Sequence, residues 1–262
     1  MATRIPLRTT AEIAQSRAAG QLAADVLAMI GPYVQPGVST EELDRRCHDY
    51  IVNTLQATPA NVGYYGFPKT LCISVNDVVC HGIPGPQRLQ DGDIVNIDVA
   101  VIKDGWYGDT SRMFVAGQAS REAQLLIDAT YQAMCAGIRA VRPGATLGDV
   151  GHAIARVAEH YDLAVVRDYC GHGIGTQYHT DPQVLHYGRP GQGLALREGM
   201  IFTIEPMLNA GRALVRTLDD GWAVVTRDHS WSAQWEHMVA VTDDGYDVLT
   251  RWPDGTGSYE AI

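Results

Sequence analysis

Apolar residues recur at helical spacing near the start of the chain, where the pattern predicts a pair of helices. Thr10 can cap the first helix and Pro36-Gly37 can end it, and its apolar stripe includes Ile13, Leu22, Val26 and Ile30. Ser39 followed by Glu42 is typical of a capping box for the second helix, which carries Leu43, Cys47, Tyr50 and Ile51.

A second helix pair is predicted over residues 120–140 and 146–160, with Pro143-Gly144 at the break and Thr146 as the cap. Runs rich in Val and Ile, bounded by Gly and Asp, follow each helix pair and predict strands. Three segments of the first half recur in the same order in the second half: 34–40 as 141–147, 80–83 as 171–174, and 89–98 as 196–205.

These matches predict two related halves, about 1–115 and 116–262, within a single catalytic domain that spans residues 1–262. No linker rich in Pro, Gly or Ser separates the halves, so we expect them to share one sheet. The predicted fold class is α+β, with helices packed on one side of a mainly antiparallel, pseudo-twofold sheet.

Two aspartates are predicted to meet on one face of that sheet. Polar and apolar residues alternate from Ile94 to Val101, and Asp104-Gly105 is a strong two-residue hairpin turn. Such a turn sets residue 109 opposite residue 100, so Asp98 and Asp109 project from the same face as diagonal neighbours. Two carboxylates placed in this way repel each other unless a cation lies between them.

The second half supplies two more carboxylates. The repeat sets Glu205 at the position of Asp98, and Glu236 lies in a later strand-like run as its partner. Because burying four uncompensated anions costs several kcal/mol each, two divalent cations are the simplest explanation. One imidazole, from His81 or His172, completes an oxygen-rich ligand set that suits Mn, Fe or Co better than a structural zinc site. Two such metals would activate water for the hydrolysis of an amide.

Composition narrows the class of protein. The chain has 262 residues, of which 46% are hydrophobic, enough for a sizeable core. Its net charge of -10 argues against broad nucleic-acid binding. The N-terminus lacks the apolar stretch of a secretory signal, and no apolar run is long enough to span a membrane. Five cysteines without CxxC spacing indicate reduced thiols, so we expect a cytoplasmic protein.

Five segments of the sequence closely resemble type I methionine aminopeptidases: Asn76 to Pro84, the hairpin from Asp98 to Asp109, Tyr169 to Gly175, Phe202 to Met207, and Gln234 to His237. The resemblance extends from about residue 8 to about residue 250. It implies the pita-bread fold and a methionyl aminopeptidase, a metalloexopeptidase that removes the N-terminal methionine from nascent proteins and peptides whose second residue is small.

The resemblance also implies a role for particular residues. The metal ligands would be Asp98, Asp109, His172, Glu205 and Glu236, with Asp109 and Glu236 bridging two divalent ions (Co, Mn, Fe or Zn). Glu205 would carry the proton of the attacking water. His179 would stabilise the scissile carbonyl, and His81 would lie near the departing amide nitrogen.

A side-chain pocket for methionine is implied at Tyr64, Phe67, Cys72, Tyr178 and Trp222, beside His81 and His179. A site for one monovalent cation, Na or K, is implied near Asn76, Val78 and Ser232. Two positions depart from the commonest family pattern, since Asn61 stands where a cysteine often lines the pocket and Phe67 replaces a frequent tyrosine. Both are expected to affect substrate preference and not the metal chemistry.

Two other functions are weighed against this one. A prolidase or aminopeptidase P shares the fold but usually carries an additional N-terminal domain and a pocket for proline. A metal-free binding protein of the same fold, acting on nascent chains or ribosomes, would tend to lose metal ligands, and all five are present here. We expect a monomer whose partners are N-terminal methionine peptides and nascent chains. The chain lacks a Cys/His-rich N-terminal extension, so any ribosome contact would use the domain itself.

Overall fold

The computed structural model describes residues 5–253. Four α-helices lie in this range: α1 (Thr10–Ile30), α2 (Thr40–Asp49), α3 (Arg121–Arg139) and α4 (Leu147–His160). Both predicted helix pairs are therefore confirmed, but the cap of α1 is Thr9 instead of Thr10, and the helix ends at Ile30, before Gly31-Pro32, instead of at Pro36-Gly37. The Thr9 hydroxyl accepts the backbone N–H of Glu12, and the Glu12 carboxylate accepts the N–H of Thr9. A glutamate three residues after Thr9 decides the position, because both bonds of a capping box need that spacing.

The second helix differs from its prediction in two respects. The Ser39 hydroxyl accepts the N–H of Glu42, but the Glu42 carboxylate pairs with Arg45 and Arg46 instead of returning to the cap. Only half of the predicted capping box is thus present. The helix continues past α2 as a wider π-helical turn over Tyr50–Thr54.

Fifteen strands are described, with bounds β1 (Thr58–Pro59), β2 (Leu71–Val75), β3 (Val78–Cys80), β4 (Ile94–Lys103), β5 (Trp106–Val115), β6 (Ala164–Val165), β7 (Gly171–Gly173), β8 (Thr180–Val184), β9 (Ile201–Ile204), β10 (Met207–Asn209), β11 (Val215–Thr217), β12 (Val224–Thr226), β13 (Ser232–Gln234), β14 (His237–Val241) and β15 (Tyr246–Val248). The strand pairings of the described chain are antiparallel. They form sheets ordered β1-β4-β2 with β5 on β4, β13-β10-β6, β11-β12-β3 and β15-β14-β9-β7-β8.

Side chains alternate along β4, so one face of the strand packs against the helices and the other carries Asp98. Ile97, Val99 and Val101 are fully buried in the main core together with Ala23 and Leu27 of α1. Residues of the opposite parity, Asp98 among them, face away from this core. The α+β class with helices over antiparallel strands is confirmed, but in residues 5–253 these strands form four sheets instead of the single shared one that we expect from the sequence. The internal twofold that would relate 1–115 to 116–262 stays a prediction.

Candidate metal centre

Asp98 and Asp109 lie on the hairpin that the sequence predicts. Ala100 pairs with Asp109 and Asp98 pairs with Ser111, so the two aspartates are diagonal neighbours on one face of β4 and β5. Asp109 is buried, whereas Asp98 keeps partial exposure to a cavity. The predicted register is correct because a two-residue turn leaves no freedom to shift strands that alternate so regularly.

The second pair of carboxylates follows a different register. Ile204 pairs with His237, so Glu205 and Glu236 stand opposite each other just beyond the end of that ladder. The predicted equivalence between this pair and Asp98 with Asp109 is therefore only approximate. The first pair is diagonal, whereas this pair is directly opposed. Glu236 forms an isolated bridge to Ser111 of β5, and its N–H donates to the Ser111 carbonyl at 3.1 Å. Its own carbonyl accepts the Thr110 hydroxyl at 2.7 Å.

His172 enters the same cluster from β7. Its Nε2 lies 3.5 Å from Oδ2 of Asp109 and 3.6 Å from Oε1 of Glu205. Ligand atoms of Asp109, His172 and Glu236 all lie within 4.8 Å of one another. Nδ1 of His172 contacts the Gly173 carbonyl at 3.2 Å, and since a carbonyl only accepts, this nitrogen carries the proton. Nε2 therefore presents a lone pair to the carboxylates, the tautomer that a metal ligand requires.

The glycines on either side of His172 permit this position. A Cβ at Gly171 would come within 2.3 Å of the Thr203 carbonyl, and one at Gly173 within 2.1 Å of the Asp181 carbonyl. Only glycine allows β7 to lie so close to both neighbouring strands. The Gly-His-Gly motif thus seats an imidazole between the two strands.

Burial makes this cluster electrostatically unstable without cations. It raises the pKa of Asp109 to about 7 and, with repulsion from Asp109, raises the pKa of Asp98 well above its usual range. Burial likewise raises the pKa of Glu205 and of Glu236. His172 cannot compensate, because burial lowers its pKa to about 4 and keeps it neutral.

The donor set fits a pair of divalent cations. In residues 5–253 no Lys or Arg forms an ion pair with these four carboxylates. One oxygen of Asp98 and one of Asp109 are buried without a hydrogen-bond partner in that same range. Buried carboxylate oxygens left in this state are typical ligand positions, since a cation supplies the missing partner.

Thr203 connects two members of the cluster. Its hydroxyl accepts the backbone N–H of His172 at 3.0 Å and donates to Oε1 of Glu205 at 2.6 Å. The side-chain amide of Gln234 donates to the other Glu205 oxygen at 3.4 Å. Sequence reasoning missed both residues, although Thr203 shares a strand face with Glu205 and its period-two position was a usable signal.

The cluster forms one end of a 330 Å³ cavity with aromatic walls. All seven residues predicted for the methionine pocket and the adjoining acid–base groups line it: Tyr64, Phe67, Cys72, His81, Tyr178, His179 and Trp222. Asn61, expected to affect preference, also lines the cavity, and Tyr65 is an additional wall residue that the sequence did not indicate.

Two histidines of the cavity are neutral. Desolvation, followed by the neighbouring imidazoles of His172 and His81, lowers the pKa of His179 to about 3. Burial also lowers the pKa of His81. His81 is held at a φ of 57°, a conformation that is strained for a residue with a side chain. Its ring packs edge-on against Tyr169 at 5.5 Å and Trp222 at 6.2 Å.

A smaller cavity of 210 Å³ adjoins the first. The two share His81, Asp98, His172, His179 and Glu205, and the smaller one adds Tyr169, Cys170 and Met207 among its walls. Asp98 and Glu205 therefore border both spaces, whereas Asp109 and Glu236 line only the larger, aromatic one.

Sequence and structure comparisons identify relatives of this chain. The model of metallopeptidase family M24 matches residues 14–243. The methionine aminopeptidase of Escherichia coli strain K12 is 53% identical over 253 residues, which are 96% of this chain and 96% of that protein. This chain belongs to the methionine aminopeptidases of metallopeptidase family M24. Membership confirms the resemblance that the motifs indicate.

Solved structures confirm the pita-bread fold. A crystal structure of methionine aminopeptidase from Rickettsia prowazekii has a TM-score of 0.93 and 52% identity, covering 95% of this chain and 100% of that one. A prolidase from Pyrococcus furiosus has a TM-score of 0.73 at 20% identity, covering 94% of this chain and 65% of that protein. The second likeness, at 20% identity, shows the fold alone.

The remaining predictions concern the monovalent cation and the membrane. The Asn76 carbonyl accepts the N–H of Ser232 at 2.9 Å, and the Ser232 hydroxyl oxygen is buried without a partner within residues 5–253. Val78 lies nearby, on the strand that follows Asn76. A cation site at these residues stays a prediction. Within the same range, no helix is both long and apolar enough to cross a membrane.

Proposed function

We propose that this chain removes the N-terminal methionine from peptides and nascent proteins whose second residue is small, using two divalent metal ions. One observation supports the proposal: five side chains able to bind a metal line an aromatic cavity of 330 Å³, and three of them also line a smaller one of 210 Å³. The proposed ligands are Asp98, Asp109, His172, Glu205 and Glu236. When bound there, the two cations would acidify water and stabilise negative charge on a carbonyl oxygen.

Glu205 is the proton carrier in this proposal. It accepts a proton from the attacking water and delivers it to the departing amine. Burial raises the pKa of its carboxyl group, which favours a group that takes and returns a proton. Thr203 and Gln234 hold its two oxygens in place.

His179 and His81 act on the amide itself. His179 is neutral, and with its Nδ1 facing the Tyr64 hydroxyl its Nε2–H is available to donate to the scissile carbonyl oxygen. His81 lines both cavities and is placed to hydrogen-bond the departing nitrogen. Its strained backbone supports a functional role, since such strain persists where the site requires it.

Substrate preference follows from the two cavities. The larger cavity, lined by Tyr64, Phe67, Cys72, Tyr178 and Trp222, suits an unbranched thioether, because sulfur makes favourable contacts with aromatic edges. The smaller cavity limits the second residue, since a bulky side chain would meet Tyr169 and Met207 before the carbonyl reached the cluster.

A three-peptide panel tests the proposal. The metal-reconstituted protein is assayed with methionyl-alanyl, methionyl-lysyl and leucyl-alanyl peptides, with a chelator-treated sample as control. We expect rapid cleavage of the first, resistance of the second and slow cleavage of the third, since one branching change in such a pocket is worth about 1–3 kcal/mol. Comparable kcat/KM values for all three would leave only a general metalloaminopeptidase.

The choice among Co, Mn, Fe and Zn is made by metal analysis of protein purified anaerobically, because all four tolerate this ligand set. The same preparation tests the metal-free binding protein considered above, which would contain no stoichiometric metal. The cytoplasmic location, the monomeric state and contact with ribosomes stay predictions from the sequence.

A further inference from the structure

Asn61 and Tyr178 form a buried hydrogen bond in the wall of the larger cavity. The Tyr178 hydroxyl donates to Oδ1 of Asn61 at 2.7 Å, and the two side chains are only 7% and 6% exposed. They are 117 residues apart in sequence. The bond therefore ties two distant segments together at the place where the proposed substrate side chain would lie.

The orientation of the Asn61 amide is determined by a third residue. Its nitrogen donates to the Thr70 carbonyl at 3.2 Å, and a carbonyl can only accept. The amide oxygen must then face Tyr178. Thr70 is fixed in turn, because its own N–H donates to the buried Asp44 carboxylate at 2.9 Å. A continuous set of hydrogen bonds thus leads from α2 to the Tyr178 hydroxyl.

Asn61 also begins the loop that carries much of the cavity wall. Its carbonyl accepts the N–H of Tyr64 at 3.0 Å, and the loop 61–67 goes on to supply Tyr65 and Phe67. The position of this loop relative to Tyr178 therefore sets the width of the cavity.

The Tyr178 ring is held between the wall and the ligand cluster. It stacks on Tyr107 at 5.3 Å with an interplanar angle of 14°, and lies 4.9 Å from the Tyr64 ring. The His172 ring lies 6.2 Å away, edge-on, and the His179 ring lies 4.1 Å away. With four rings packed around it, the Tyr178 ring is expected to move only together with the loop that holds its hydroxyl.

We propose that Asn61 and Tyr178 act as one specificity-determining pair, which holds the pocket at the width of an unbranched methionine side chain and so disfavours a branched one. The inference rests on the proposed function and deepens it. If the bond served stability alone, its loss would lower the free energy of unfolding and leave the preference unchanged.

The test compares Asn61→Ala, Tyr178→Phe and the double variant, each loaded with metal. The measured quantity is the ratio of kcat/KM for methionyl-alanyl to that for leucyl-alanyl peptide. We expect each single variant to lower this ratio roughly fivefold, since both leave a buried polar group unpaired and free the loop. The double variant should show the same reduction as Asn61→Ala, because that change has already removed the bond that Tyr178→Phe would break.

Tyr107→Phe is the matched control. It removes a hydroxyl from the ring stacked behind Tyr178 and leaves the pair intact, so the ratio should not change. Tyr178→Phe keeps its ring and packing, and remains informative if Asn61→Ala does not fold. An unchanged ratio in Tyr178→Phe, or a double variant equal to the product of the singles, would overturn the inference. The same ratio measured on the parent protein tests the proposed function separately, because it shows whether methionyl peptide is preferred at all.

Discussion

The Tyr64 hydroxyl lies 2.9 Å from Nδ1 of His179, and the two rings stack at 5.2 Å with 25° between their planes. If the hydroxyl donates, the His179 proton resides on Nε2, the tautomer that can donate to a carbonyl oxygen. Tyr64 is then a positioning residue as well as part of the pocket wall.

Tyr64→Phe should lower kcat about tenfold while the metal content stays unchanged, because the imidazole loses the bond that selects its tautomer. His179→Ala should cost more, about 10²–10³-fold, since the donor itself is removed. The double variant should be no slower than His179→Ala alone. Steady-state kinetics with metal analysis checks this, and additive losses would show that Tyr64 acts independently of His179.

Asp109→Ala and Glu236→Ala should each abolish activity and tight metal binding, because in the proposed site each carboxylate would bridge two ions. His81→Ala should retain the metals and lower turnover about 10²–10⁴-fold, as expected for a group that acts on the leaving nitrogen. Equilibrium dialysis and kinetics on the three variants separate these roles. Equal metal loss in His81→Ala would make it a ligand and contradict the assignment.

Thr203→Val should weaken metal binding about 10–100-fold, because the hydroxyl positions both His172 and Glu205. Thr226→Val is a matched control: its hydroxyl is equally buried but donates to the Ser230 carbonyl, away from the cluster. It should lower stability by about 1 kcal/mol and leave the metal affinity unchanged. Titration with metal under competition by a chelator measures the metal affinity of the two variants. Equal metal affinity of the two variants would show that Thr203 does not position the metal ligands.

His237 should make stability pH-dependent. Burial, with a smaller contribution from Arg251, lowers its pKa from 6.5 to about 3. The unfolded chain therefore binds a proton between pH 6.5 and 3 that the native chain does not, so the free energy of unfolding falls as the pH falls through this window. Between pH 6.5 and 5 the loss due to His237 should be on the order of 2 kcal/mol.

Urea denaturation of the metal-free parent and of His237→Gln, with chelator present, measures that loss as a difference. The other buried histidines contribute equally to both proteins and cancel. Asp228→Asn is a control whose effect on the free energy of unfolding falls in a different pH range, because hydrogen bonds from Ser230 and Arg212 lower the Asp228 pKa to about 2. Its effect should be confined to below about pH 4. A difference between parent and His237→Gln that is constant from pH 6.5 to 5 would contradict the prediction.

Local sequence was sufficient to predict how the first pair of carboxylates lies on its strands. Period-two alternation along β4 and the Asp104-Gly105 turn specify both face and register, so Asp98 and Asp109 could be placed together from the sequence. The helix pairs were equally accessible, since caps and breaks lie within a few residues of the ends that they define. The predicted cap of α1 was wrong by one residue, and its predicted end at Pro36-Gly37 lies six residues beyond Ile30, because Gly31-Pro32 already ends the helix.

Local sequence was not sufficient to predict how the second pair of carboxylates is arranged. Its connecting segment is longer than a tight turn, so no turn geometry specifies the register of Glu205 against Glu236. What places Glu236 is a backbone contact with Ser111, on a strand of the other half. Nothing in the residues around position 236 encodes that contact.

The sequence by itself determined the elements, the family motifs and the set of chemical groups, because each depends on residues within one turn or one hairpin. The tertiary structure alone decided which distant polar atoms meet: Asn61 with Tyr178, Tyr64 with His179, and Thr203 with His172. Each such bond adds about 1 kcal/mol and leaves no periodic trace in the sequence. It forms only after the large apolar surfaces of helices and strands have brought the two segments together.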